Sequence, residues 1–174
     1  ENVLTIPIAI LLLLFTFIDP GAEGVHRWVS IGPIRFYIAS IVIPILIMGL
    51  WRILKTTNWW ISAGISIGVS LLLALQPDAS QTTAFIIPMT IILLGNTNNN
   101  YFRSSVLGVF SLIIIFSWIN LDSLPPVAYV EDIVKMVANM GGIWFTLGIT
   151  SLVILPLPFI LFPPPNSKLL SICL

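Results

Sequence analysis

Long apolar runs recur along this chain at residues 3–18, 35–54, 59–75, 83–95, 105–119 and 142–162, separated by short polar breaks. A bilayer core about 30 Å thick asks for roughly 20 apolar residues per helix, and most of these runs approach that length. The first and fourth are shorter, and read as tilted, partial, or lengthened by residues beyond those given. An open strand would leave backbone groups unpaired in lipid, and the spacing does not suit a barrel, so the pattern predicts helices. Pro44, Pro88 and Pro156 fall inside runs, where the reading is a kink whose freed carbonyl finds another partner.

The most informative break is the shortest. Gln76-Pro77-Asp78 interrupts Leu71-Leu72-Leu73-Ala74-Leu75 and Phe85-Ile86-Ile87. An acidic side chain at a membrane helix centre costs roughly 2.5–3.5 kcal/mol, and less near an interface, so a chain that keeps one there uses it for a turn or a site. The breaks alternate between two sides. One receives Arg52, Lys55, Arg103 and Lys168, and the other Arg27, Arg35 and Lys135, a bias of four against three that places the N-terminus on the cytoplasmic side. Trp28, Trp51, Trp59, Trp60, Trp118 and Trp144 stand near run ends, as an interfacial aromatic belt requires.

Composition sharpens this picture. Apolar residues make up 57% of the chain and charged residues 8%, and the mean hydropathy is +1.07. So large an apolar excess exceeds what one soluble core would bury, and lipid becomes the expected solvent. Lys+Arg and Asp+Glu balance at seven each, leaving no basic face for nucleic acid. Cys173 is the single cysteine, so neither an intrachain disulfide nor a cysteine metal cluster is available. The first run lacks the basic start and small-residue cleavage site of a signal peptide. The expected fold is all-α, a polytopic transmembrane bundle of about six spans forming a single domain over residues 1–174, with a Pro-rich tail from 163.

Three segments on one expected face could carry chemistry. Gly24-Val25-His26-Arg27-Trp28-Val29-Ser30-Ile31-Gly32-Pro33 joins flexible glycines to a cation and an aromatic. Arg27 there could pair with phosphate, or simply anchor the chain at the interface. In Gln76-Pro77-Asp78-Ala79-Ser80-Gln81-Thr82-Thr83, Asp78 could cap the following helix or line a site. In Pro125-Pro126-Val127-Ala128-Tyr129-Val130-Glu131-Asp132, the acids open a helix whose dipole favours them, and Glu131 could equally act as a general base.

Taken in order, these segments resemble the SEDS family (shape, elongation, division and sporulation; the FtsW/RodA/SpoVE class) over residues 24–155. Residues 24–33 are similar to its Gly-Ala-Arg-Arg-Trp-Ile-x-Leu-Gly-Pro loop. Gln76-Pro77-Asp78 resembles its Gln-Pro-Asp-Leu-Gly-Thr turn, and residues 126–141 resemble its Pro-Glu-Ala-His-Thr-Asp-Phe-Ile-Phe segment with the following Glu-Glu-Leu-Gly. The resemblance implies a multi-pass protein of the bacterial inner membrane. It implies polymerisation of lipid II, or another polyprenyl-linked substrate, into peptidoglycan during cell division or shape maintenance, beside a class B penicillin-binding protein.

Under that resemblance the family's catalytic Asp falls on Glu131, and Arg27, Trp28, Gln76 and Asp78 frame the substrate. A divalent cation could assist, although no ligand cluster in the sequence marks a metal site. The pattern also departs from the family. Its His falls on Tyr129, its Thr on Val130, and Glu131 moves the acid outward by a methylene. The family's Gln-Pro-Ser-Glu falls on Tyr37-Ile38-Ala39-Ser40, a nearby Lys falls on Ile43, and the outermost family helices have no counterpart. A lipid-linked glycan polymerase and a non-catalytic relative that binds a lipid carrier or division partner are the two leading expectations. A small transporter is the third, with no span carrying the paired charges of a proton relay.

Overall fold

The computed structural model describes residues 4–18, 28–31, 34–56, 58–120, 133–154 and 157–162. Its elements run in the order α1 (Thr5–Phe15), β1 (Trp28–Ile31), β2 (Ile34–Tyr37), α2 (Ile38–Thr56), α3 (Trp59–Leu75), α4 (Ala79–Gly95), α5 (Asn100–Ile119), α6 (Ile133–Asn139), α7 (Gly142–Ile154) and α8 (Leu157–Leu161). The fold is helical throughout apart from one small hairpin. The chain forms two compact units, the first ending at Asp122 and the second beginning at Ser123.

Two helices are long and apolar enough to cross a membrane, judged by length and composition: α2 with 19 residues and α5 with 20. The other apolar helices are shorter, with 11 residues in α1, 17 in each of α3 and α4, and 13 in α7. At 1.5 Å per residue a 17-residue helix measures about 25 Å, a little less than the hydrocarbon core.

Element boundaries depart from the apolar runs where polar chemistry intervenes. Helix α4 starts at Ala79 instead of 83, because Asp78 caps it by accepting from the Gln81 N–H. Helix α5 starts at Asn100 instead of 105, because the Asn99 side chain accepts from the Tyr101 N–H. The second run was expected to be helical from 35, yet 34–37 pair as β2 with β1. Their antiparallel register sets Trp28 opposite Tyr37 and Ile31 opposite Ile34. Branched and aromatic residues take six of the eight strand positions, which suits a pleated pair. Pro44 and Pro88 do lie inside helices. Pro125, Pro126, Pro156, the Pro-rich tail and Cys173 lie outside the described residues.

In the first unit, α1 packs on α2, α2 on α3 and α4, and α3 on α4 and α5. Leu13, Leu46, Leu50, Leu73, Phe85 and Phe110 fill the centre. The outer surface is also apolar, with Leu11, Ile41, Trp60, Ile87, Leu112 and Ile115 all more than half exposed. Small polar residues are inside instead. Ser62, Ser66 and Ser70, spaced four apart on one face of α3, are fully buried. Ser62 donates across to the Leu50 carbonyl of α2 at 3.1 Å, while Ser66 and Ser70 donate back along their own helix at 2.6 and 2.8 Å. Such residues let helix backbones approach closely while their hydroxyls stay satisfied. This distribution reverses that of a water-soluble bundle and suits an apolar solvent.

The second unit contains a helical hairpin. Gly141, at φ +113°, turns the chain between α6 and α7 in a conformation that favours glycine. Gly148 of α7 lies close to Val137 of α6, where an added Cβ would come within 3.0 Å of the Val137 Cγ1.

Gly49 of α2 makes room for Ile6 of α1: a Cβ there would sit 2.8 Å from Ile6 Cγ1, whereas Gly68 of α3 faces open space. Gly49→Leu is expected to destabilise the protein by about 1–3 kcal/mol through overpacking. Adding Ile6→Ala should recover part of that loss, and Gly68→Ala should cost little. Thermal unfolding of the four purified proteins in one detergent checks this.

Candidate functional site

The α3–α4 turn is where the bundle concentrates its polar chemistry. Leu75 ends α3, and the Gln76 N–H reaches back to the carbonyls of Leu72 and Leu73, both at 3.2 Å. Two residues later Asp78 opens α4. Both side chains are almost entirely buried, Gln76 at 0% exposure and Asp78 at 1%. A polar group so placed must find partners within the protein or lose its hydration without compensation.

Asp78 finds them on two elements. Its Oδ1 accepts from the Ser80 hydroxyl at 2.9 Å and from the Gln81 N–H at 3.1 Å, both in the first turn of α4. Its Oδ2 accepts from the Tyr37 hydroxyl at the end of β2. The Asp78 carbonyl takes the Thr82 N–H at 2.9 Å and the Thr82 hydroxyl at 2.7 Å. Asp78 is thus a helix cap and, through Tyr37, the tie between the hairpin and the bundle.

Gln76 points to a different neighbour. Its Nε2 donates to the Leu13 carbonyl at 3.1 Å and to the Thr16 Oγ1 at 2.6 Å, while the Thr16 hydroxyl itself donates to the Leu13 carbonyl at 2.7 Å. This arrangement fixes the amide orientation, since a flipped amide would aim its oxygen at a carbonyl. The Gln76 Oε1 is buried without a hydrogen-bond partner. On the other flank, the Ser117 hydroxyl donates to Thr82 Oγ1 at 3.4 Å and the Trp118 indole N–H to Thr83 Oγ1 at 3.1 Å, both from α5. The turn therefore holds α1, the hairpin, α4 and α5 together at one end of the unit.

The sequence-expected residues distribute unevenly. Gln76 and Asp78 are neighbours with separate partners. Trp28 reaches the same end through its backbone, since its register partner Tyr37 is the residue that bonds Asp78. Arg27, His26 and Glu131 lie outside the described residues. Tyr37 and Thr16 were not anticipated as members of this cluster. Their signal in the sequence was indirect: a buried acid and amide at a helix junction call for donors and acceptors from neighbouring helix ends.

Among the described residues no group of three or more His, Cys, Asp or Glu could hold a metal ion. Among the described residues Asp78 is the one carboxyl at this turn, and Tyr37, Ser80 and Gln81 offer it hydroxyl and N–H donors, not the further oxygen ligands that a divalent cation takes. No family model, curated protein or solved structure matches the chain. Fold and site thus define a helical protein with two membrane-length helices and a buried polar junction.

Removing the Tyr37 hydroxyl takes one donor away from a buried carboxyl. Tyr37→Phe is expected to cost about 1–3 kcal/mol. Asp78→Ala should cost at least as much, since it also removes the cap, which is worth about 0.5–2 kcal/mol. The double variant should cost less than the sum of the two, because both act through one hydrogen bond. A double-mutant cycle measured by equilibrium unfolding in detergent checks the coupling.

Proposed function

We propose that this chain is a six-span protein of the bacterial inner membrane related to the SEDS core, and that it engages a polyprenyl diphosphate-linked sugar during envelope growth or division. One observation carries most of the weight. Two of the three segments that resemble the family are joined in space: Asp78 of the Gln-Pro-Asp turn bonds Tyr37, which pairs with Trp28 at the end of the Arg27-Trp28 segment. The apolar outer surface and buried serines support a lipid setting for α1, α3, α4 and α7 as well as for α2 and α5.

In this reading Glu131 accepts the proton of the acceptor sugar hydroxyl as that oxygen attacks the anomeric carbon of the donor. The bond from the anomeric carbon to the lipid diphosphate breaks, and the diphosphate leaves with the bonding electron pair. Arg27 neutralises the leaving charge, and Trp28 and Gln76 help to position the substrate. Asp78 has a supporting part, bonding Tyr37 at the end of the hairpin. A class B penicillin-binding protein is the expected partner for crosslinking the product.

A second reading has its own support. Asp78 is engaged by Tyr37, Ser80 and Gln81 as a folding element, and Glu131, Tyr129 and Val130 depart from the family's catalytic segment. A non-catalytic relative that binds the lipid carrier or a division partner would keep the turn and lose the base.

Glycan-strand formation from labelled lipid II separates the two, with the purified protein assayed alone and with a class B penicillin-binding protein. The catalytic reading expects polymer that falls at least about 100-fold in Glu131→Gln, as loss of a general base does. Absence of polymer under both conditions, with folding verified and an active family member as control, would leave the scaffold reading standing.

A further inference from the structure

The end of the first unit away from the Gln76–Asp78 turn gathers cations. Arg52 and Lys55 lie in the last turns of α2, and Arg103 in the first turn of α5. Lys55 Nζ donates to Asn96 Oδ1 at 2.7 Å. Arg103 donates through Nε to the Thr97 carbonyl at 2.9 Å and through Nη2 to the Leu94 carbonyl at 3.3 Å. These bonds meet the C-terminal end of α4, where carbonyls and helix dipole favour positive charge. They leave capacity unused, because an ammonium has three donors and a guanidinium five. Arg52 is exposed at this end.

No acidic side chain among the described residues lies here. The described acid of this unit, Asp78, caps the opposite end of α4, about 25 Å away along a 17-residue helix. Among the described residues, then, three cations share one end with no acid beside them.

The same end carries an aromatic cluster. Trp59 stacks on Phe102 with ring centroids 5.4 Å apart, and Trp60 meets Phe102 edge-on at 4.4 Å. The Trp59 indole N–H is committed to the Leu93 carbonyl at 3.2 Å, whereas Trp60 and Tyr101 remain 59% and 84% exposed. Exposed amphipathic rings beside cations match the headgroup level of a bilayer, where ring bodies meet acyl chains and charges meet phosphates.

We infer that this end is a seat for anionic phospholipid headgroups, with Arg52 and Lys55 on the phosphates and Trp60 at the headgroup–acyl boundary. The inference rests on the membrane setting proposed above. A free phosphate would answer the cations but leave Trp60 and Tyr101 in water; a lipid answers both.

The test titrates the full chain in detergent micelles with brominated phosphatidylglycerol or brominated phosphatidylcholine, following tryptophan quenching. Phosphatidylglycerol should quench at lower mole fraction, and salt should weaken the preference. Arg52→Gln with Lys55→Gln should reduce the apparent affinity for phosphatidylglycerol roughly 30-fold, about fivefold per cation. Arg52→Gln alone carries the test if the double variant fails to fold. Lys135→Gln, which removes the same charge from the second unit, should leave the preference unchanged. Equal quenching by both lipids would overturn the seat while leaving the membrane reading intact. An equal loss in Lys135→Gln would reduce the effect to net charge and overturn it too. Displacement by millimolar inorganic phosphate would reassign the end to a soluble anion. Quenching by neither lipid would overturn the membrane reading together with the seat.

Discussion

A carboxyl group buried to 1% exposure at a helix junction must be supplied with donors, and the layout of the first unit follows from how that is done. Asp78 takes Ser80 and Gln81 from its own helix, which sets where α4 begins. Its remaining oxygen takes Tyr37, which sets where the hairpin stops and α2 starts. Gln76 reaches α1 from the same turn, and Thr82 and Thr83 meet α5. A few residues of connecting chain thereby position every other element of the unit at that end. Isolated hairpins of four-residue strands are marginal, so this one depends on its tie to the turn.

Farther along the bundle the constraint is packing. The serines of α3 are small enough for close helix approach, and each hydroxyl has an acceptor, so their burial adds no unmet polar group. Gly49 plays the matching part where α1 meets α2. The large side chains displaced outward, among them Leu11, Ile87 and Leu112, would each forgo part of the roughly 1.5–3 kcal/mol of a fully buried apolar residue if water surrounded them. An apolar solvent of the kind proposed above would remove that penalty, and the two membrane-length helices accord with one.

How much of this was legible beforehand depended on whether the determining contact was local. The helical class was readable, and so were helices along the apolar runs, two of them long enough to cross a membrane, because hydrophobic length is a property of contiguous residues. Asp78 as a cap was also readable, its partners Ser80 and Gln81 lying within three residues. The hairpin was not: four residues of alternation in Ile34-Arg35-Phe36-Tyr37 merge with the apolar run that follows, and its anchor lies 41 positions away at Asp78. The role of Gln76 was equally hidden, since its partners Leu13 and Thr16 are 63 and 60 positions earlier. Arg27 and Glu131 were proposed from motif order, and motif order alone places no side chain.

The clamp from Gln76 to α1 bears on how the protein is made. Leu13 and Thr16 emerge from the ribosome long before the amide that binds them. Until α3 arrives, the Thr16 hydroxyl can only turn back on the Leu13 carbonyl of its own helix, and the sites later taken by the Gln76 amide are left to other partners. The α1 terminus is therefore completed by a residue 60 positions further along, so its packing against α2 and its polar closure are separate events in the making of the chain.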